Sequence, residues 1–119
     1  MEKQILAVAN YEKQKYFIEP KFETLPEEIQ KELKVICVLT AQKLCCTFLI
    51  GFKKEGNIYF EIIKPEQCID FDDIGAELEI KKIQSENKEL LKKLKVWYTI
   101  FFTEQGKKLR QQLLQKKEI

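Results

Sequence analysis

Between Ala76 and Phe101 apolar side chains return on a seven-residue beat. Ala76, Ile80, Ile83, Asn87, Leu90, Leu94, Trp97 and Phe101 are separated alternately by four and three residues. That is the spacing of a helix face laid along a second helix, with the polar Asn87 at an a position. A buried amide there needs a polar group opposite it, and in paired helices it selects register and oligomer state. The flanks of the stripe change along its length, from Glu79, Gln84 and Glu86 to Leu91, Lys93, Tyr98 and Ile100. The widening predicts that residues 90–102 enter the domain's own core while residues 76–90 stay available to a partner. Ala76, Ile80, Ile83, Asn87 and Leu90 are therefore the candidate self-association seam.

Upstream the period shortens to two. Cys46, Phe48, Ile50 and Phe52 alternate with Cys45, Thr47, Leu49 and Gly51, and after Lys53-Lys54-Glu55-Gly56 the run Asn57 to Lys64 alternates again. Gly56 can take the positive φ that a type I turn with a following bulge requires, which predicts a β-hairpin. Both faces of its first strand are apolar. One must meet helices, and the other needs cover of a less obvious kind. A lone hairpin is marginal in water, so it must gain a third strand, pack on helices or pair across a dimer.

Thr24-Leu25-Pro26-Glu27 has the form of a capping box, with proline in the first turn, and Ile29, Leu33, Ile36, Cys37, Thr40 and Leu44 follow at helical spacing. A helix near 25–43 results. Asp72 or Asp73 can cap the long helix, expected near 72–104 and ending by Gly106, with weak helix formers Ser85, Glu86 and Asn87 at its middle. Residues 3–14 fit a short helix or a strand, and helix is the reading taken. Tyr16, Phe17 and Ile18 favour an edge strand that stops at Pro20. The expected class is α+β: an antiparallel hairpin, with a possible third edge strand, packed with helices. Residues 1–105 form the domain, and 106–119 a basic amphipathic tail.

A chain of 119 residues with 45% apolar and 34% charged content can form one self-sufficient core. Its longest apolar run falls far short of the ~20 residues that span a bilayer, and the apolar stretch in MEKQILAVAN is too short for a signal peptide. A cytoplasmic protein is expected. Of 21 basic residues only Arg110 is arginine, which argues against nucleic-acid recognition, and a net charge of +2 does not oppose self-association.

Candidate chemistry is sparse. Cys37, Cys45, Cys46 and Cys68 form no C-x-x-C pair, and the chain has no histidine to complete a zinc site or to activate a nucleophile. Asp70, Asp72, Asp73 and Gly75 suggest a calcium loop, but Ile74 and Lys81 stand where oxygen ligands belong. Glu61, Glu66, Asp70 and Asp72 carry no sign of the burial that acid–base catalysis needs. Gly51, Gly56, Gly75 and Gly106 make no phosphate-cradling pattern. No enzyme and no cofactor is expected, and any small-molecule ligand is left open.

Tyr11-Glu12-Lys13-Gln14-Lys15-Tyr16-Phe17, Leu25-Pro26-Glu27-Glu28-Ile29 and Phe71-Asp72-Asp73-Ile74-Gly75-Ala76-Glu77-Leu78 together resemble a family of short bacterial proteins of unknown function from Gram-positive anaerobes. The resemblance spans most of the chain. No activity is attached to that family, so no site residue carries over. The functional expectation is a non-catalytic protein-interaction module that associates with itself as a homodimer. A small-ligand sensor with an apolar pocket between hairpin and helices stands second, and an enzyme of unrecognised type third.

Overall fold

The computed structural model describes residues 3–54, 56–65, 71–103, 106–108 and 111–112. The elements are β1 (Gln4–Asn10), β2 (Lys15–Ile18), a 3-10 turn at Pro20–Phe22, α1 (Glu27–Leu44), β3 (Thr47–Phe52), β4 (Ile58–Ile63), α2 (Asp73–Glu86) and α3 (Lys88–Phe102). The strands form one antiparallel sheet in the order β2-β1-β3-β4, an α+β architecture. Two hairpins, β1–β2 and β3–β4, meet along β1 and β3, and α1 crosses the sheet between them.

The β3–β4 turn follows its sequence. The Lys53 N–H donates to the Asn57 carbonyl at 2.7 Å, the Gly56 N–H donates to the Lys53 carbonyl at 2.8 Å, and Gly56 has φ 90°. Glycine reaches that region without steric cost. Phe48, Ile50 and Phe52 on β3 turn to the helices together with Ile58, Phe60 and Ile62 on β4, as their register pairs them.

Residues 3–14 correct the helical reading: Gln4–Asn10 is a strand lying between β2 and β3. A register shift between Ile5 and Ala7 places Leu6 in a bulge, so Leu6, Ala7 and Ala9 are all buried. The extra residue breaks strict alternation, which is why no period was legible. Tyr16–Ile18 lies in β2, at the sheet edge.

The Thr24 capping box does not form. Pro26 occupies the N-cap of α1 without a side-chain bond, and Gln30 Nε2 donates instead to the carbonyls of Glu23 (2.9 Å) and Leu25 (2.8 Å). An amide one turn into the helix thus ties down the preceding loop. At the other end α1 closes on Cys45, in the left-handed region at φ 52°, and the Cys46 N–H returns to the Ala41 carbonyl.

Asp72 caps α2, its Oδ1 accepting from the Gly75 N–H at 2.8 Å. The long helical segment runs from Asp73 to Phe102 with a break at Asn87, whose φ of −120° separates α2 from α3. α3 ends at Phe102, before Gly106. Thr103 is extended there, and its Oγ1 accepts from the Gly106 N–H at 3.1 Å, so helix resumes at Gly106.

The core lies between the sheet and the helices. Leu33 and Cys37 of α1, Leu94 of α3, and Phe48 and Phe52 of β3 are wholly enclosed. Phe22 joins them from the 3-10 turn. Its ring lies 5.3 Å from Phe52, 5.2 Å from Phe102 and 6.0 Å from Trp97, and Tyr98 stacks on Phe52 at 4.5 Å. No helix among the described residues is long and apolar enough to cross a membrane.

Candidate interaction surface

The seven-residue stripe runs along α2 and α3, and it faces inward at its centre. Ala76, Ile83 and Leu90 are each 5% exposed, Ile83 and Leu90 belong to the core, and Ile80 packs against it. Asn87 is half-buried, and its Nδ2 donates to the Ile83 carbonyl at 2.9 Å, within its own helical segment. Its amide therefore has a partner without a second chain. The stripe is taken up by the domain because the sheet offers one helix-covered face too wide for α1 to fill alone. Outward from α2 point Ile74 and Leu78 instead.

The thiols and hydroxyls divide by burial. Burial pushes the Cys37 thiol up to about 12, and pushes Cys46 up to about 11 with Cys45 adding to the effect. Both are protonated and inert near neutral pH. Cys45 is exposed, and Cys68 lies outside the described residues. Because the Cys37 pKa is raised on folding from an ordinary 9.0, its contribution to stability is intact below about pH 9. That contribution is lost as pH climbs toward 12, since the unfolded chain releases the proton first. Urea midpoints should fall through this window, and Cys37→Ala should make the alkaline decline shallower.

Among the described residues Tyr16 is the exception to good pairing. Its buried hydroxyl has no hydrogen-bond partner, and burial, then Cys37, raises its pKa well above the tyrosine range. An unsatisfied buried hydroxyl destabilises, so Tyr16→Phe should raise stability by about 1 kcal/mol in urea titrations. The acidic residues hold structure: Asp72 caps α2, and Asp73 meets Lys64 at 2.7 Å. Glu66 and Asp70 lie outside the described residues, and among the described residues no three His, Cys, Asp or Glu side chains converge as a metal site.

The space between hairpin and helices, where an apolar pocket was expected, is occupied by Phe48, Ile50, Phe52, Leu94 and Tyr98. A groove of about 740 Å³ lies elsewhere, between α1 and the α2–α3 junction. Val35, Ile36 and Leu90 line it, with Lys31, Glu32 and Lys88 beside them.

The opposite face of the sheet carries no helix among the described residues. Register places Ile5, Val8, Phe17, Leu49, Tyr59 and Ile63 there. Phe17 is 52% exposed, Ile63 48% and Ile5 42%. The Asn10 side chain donates to Thr47 Oγ1 at 2.8 Å at one end of this face, and the Lys3 ammonium stands 5.1 Å from the Tyr59 ring at the other. This is the second apolar face of the hairpin for which the sequence suggested no cover.

Residues 3–106 match a family of unknown function, DUF6145. The chain belongs to this family. No curated protein and no solved structure matches it. The matched span contains all four strands and α1 to α3, so the open sheet face lies within the DUF6145 region.

The two edges of the DUF6145 sheet differ. β2 is only four residues long and begins with Lys15, both features that blunt an edge. β4 is six residues long, reads Ile-Tyr-Phe-Glu-Ile-Ile, pairs with β3 without a bulge and contains neither lysine nor proline. Its helix-side residues Ile58, Phe60 and Ile62 are only partly buried, whereas Phe52, Ile50 and Phe48 opposite them are at most 1% exposed. Sequence reasoning identified the β4 strand, but its place at the edge depends on β1 entering the sheet on the other side of β3.

Proposed function

We propose that this chain is a non-catalytic cytoplasmic module that works through protein contacts, with a second copy of itself as first partner. The open apolar face of the sheet supports this reading. Ile5, Phe17 and Ile63 are large side chains exposed on one face of a rigid sheet, where exposed apolar area marks contact sites. A net charge of +2 opposes association little. The inward turn of the seam moves the contact from the helices to the sheet.

Light scattering coupled to size exclusion, run over a range of protein concentrations, tests the reading. A mass that rises toward twice 14.2 kDa with concentration is the expected result. A strict monomer at every concentration, or turnover of a substrate by the purified chain, overturns it.

A further inference from the structure

We propose that the chain dimerises by pairing β4 with β4 of a second copy, antiparallel about a twofold axis at Phe60, which joins two four-stranded sheets into one. The inference rests on the self-association reading above and sets the contact along the β4 edge of the sheet, in one register, instead of across its open face.

The direction of the backbone groups comes first. Hydrogen bonding alternates along an antiparallel pair, and the Lys53–Asn57 bond that closes the hairpin fixes the phase. Tyr59, Glu61 and Ile63 then bond to β3, while Ile58, Phe60 and Ile62 turn their N–H and C=O groups to the open edge. The Tyr11 N–H bond to the Cys46 carbonyl gives the same phase from the other side of β3, because it commits Cys46, Phe48 and Ile50 to β1 and leaves Thr47, Leu49 and Gly51 for β4. Among the described residues no backbone or side-chain group pairs with this edge.

The strand is complementary to itself in one register. Centred on Phe60, Ile58 faces the partner's Ile62, Phe60 faces the partner's Phe60 and Ile62 faces the partner's Ile58, each pair exchanging two N–H···O=C bonds. Those same side chains are the partly buried ones on the helix side, so they meet across the axis and complete their burial. On the open face the register sets Glu61 opposite the partner's Tyr59, beside the ring that Lys3 approaches. A shift of one residue in centre, to Glu61, would place Glu61 directly opposite the partner's Glu61, where like charges destabilise. A shift to Tyr59 leaves Ile62 unpaired. Charge and backbone thus select the same arrangement, and the partner it fits is a second copy of this chain. Pairing also removes an unprotected edge that would otherwise recruit strands at random.

Amide hydrogen exchange followed by NMR on the full chain, at high and low protein concentration, is the direct test. Protection of the Ile58, Phe60 and Ile62 amides should rise with concentration, while Tyr59, Glu61 and Ile63 stay protected throughout. Glu61 is exposed, so Glu61→Lys should fold normally yet weaken the dimer about tenfold or more, and adding Lys3→Glu should restore much of the loss. A dimer whose Ile58, Phe60 and Ile62 amides exchange alike at all concentrations overturns the β4 pairing and leaves the self-association reading standing. A Glu61→Lys dimer of unchanged affinity overturns the register. A strict monomer overturns both inferences.

Discussion

Phe22→Ala is expected to destabilise the domain by about 4 kcal/mol, the upper range for removing a buried aromatic ring. Phe22 is fully enclosed although it sits in a three-residue turn, and its ring contacts Phe52 of β3 and both Trp97 and Phe102 of α3. The side chain thus links the sheet, the β2–α1 connection and the end of α3. Its loss leaves a cavity that a short turn between two fixed elements cannot collapse to fill. A domain of this size has a total stability of about 5–15 kcal/mol, so the variant should lie close to its unfolding threshold. Urea unfolding followed by Trp97 fluorescence measures the shift, with Trp97 itself reporting on the contact. Phe17→Ala supplies the contrast. That phenylalanine is half exposed on the open sheet face, and its removal should cost about 0.5 kcal/mol or less.

Gly51→Val should cost about 3 kcal/mol or more by overpacking. A Cβ at Gly51 would collide with the backbone carbonyl oxygen of Gln4 and with the ring of Tyr59. The Gln4 oxygen cannot give way easily, because Gln4 pairs with Phe52 next to the bulge that sets the β1–β3 register. Tyr59 could rotate off the sheet only by giving up its place across Gly51 and under the Lys3 ammonium. Thermal melts should show the loss of stability. Any fraction that folds should also dimerise poorly, since Tyr59 stands opposite the partner's Glu61 in the proposed pairing. Retention of full stability by Gly51→Val would mean that β1 approaches β3 less closely than the structure has it.

Much of the local architecture was legible in single segments. Gly56 announced its turn because few residues other than glycine readily accept the φ required there, and Asp72 announced its cap because its carboxylate reaches the Gly75 amide three residues on. Thr24 misled for an instructive reason. The capping box it spells is sound chemistry, yet Gln30 holds the Glu23 and Leu25 carbonyls, and Pro26 becomes the cap. Two local solutions were available, and packing of the loop around Phe22 and Leu25 selected one.

The candidate surface was half legible. Two apolar faces on β3 could be read from Phe48, Ile50 and Phe52 against Leu49 and Gly51, and so could the need for cover on both. Which face the helices would take, and that the stripe through Ile83 and Leu90 would supply part of the cover, could not be read. The helical period records which residues share a side, not what lies opposite them.

By itself the sequence determined the α+β class, the β3–β4 hairpin with its turn, the span of α1 and the helical run from Asp73 onward, because each depends on periodicity or on chemistry within a few residues. Tertiary structure alone decided that residues 4–10 are a strand, since their partners are Lys15–Ile18 on one side and Thr47–Phe52 on the other. It likewise turned Ala76, Ile83 and Leu90 inward and left β4 as an unblunted edge. Strand pairing and the choice of a buried face are settled by free energies between segments distant in sequence, which no local pattern contains.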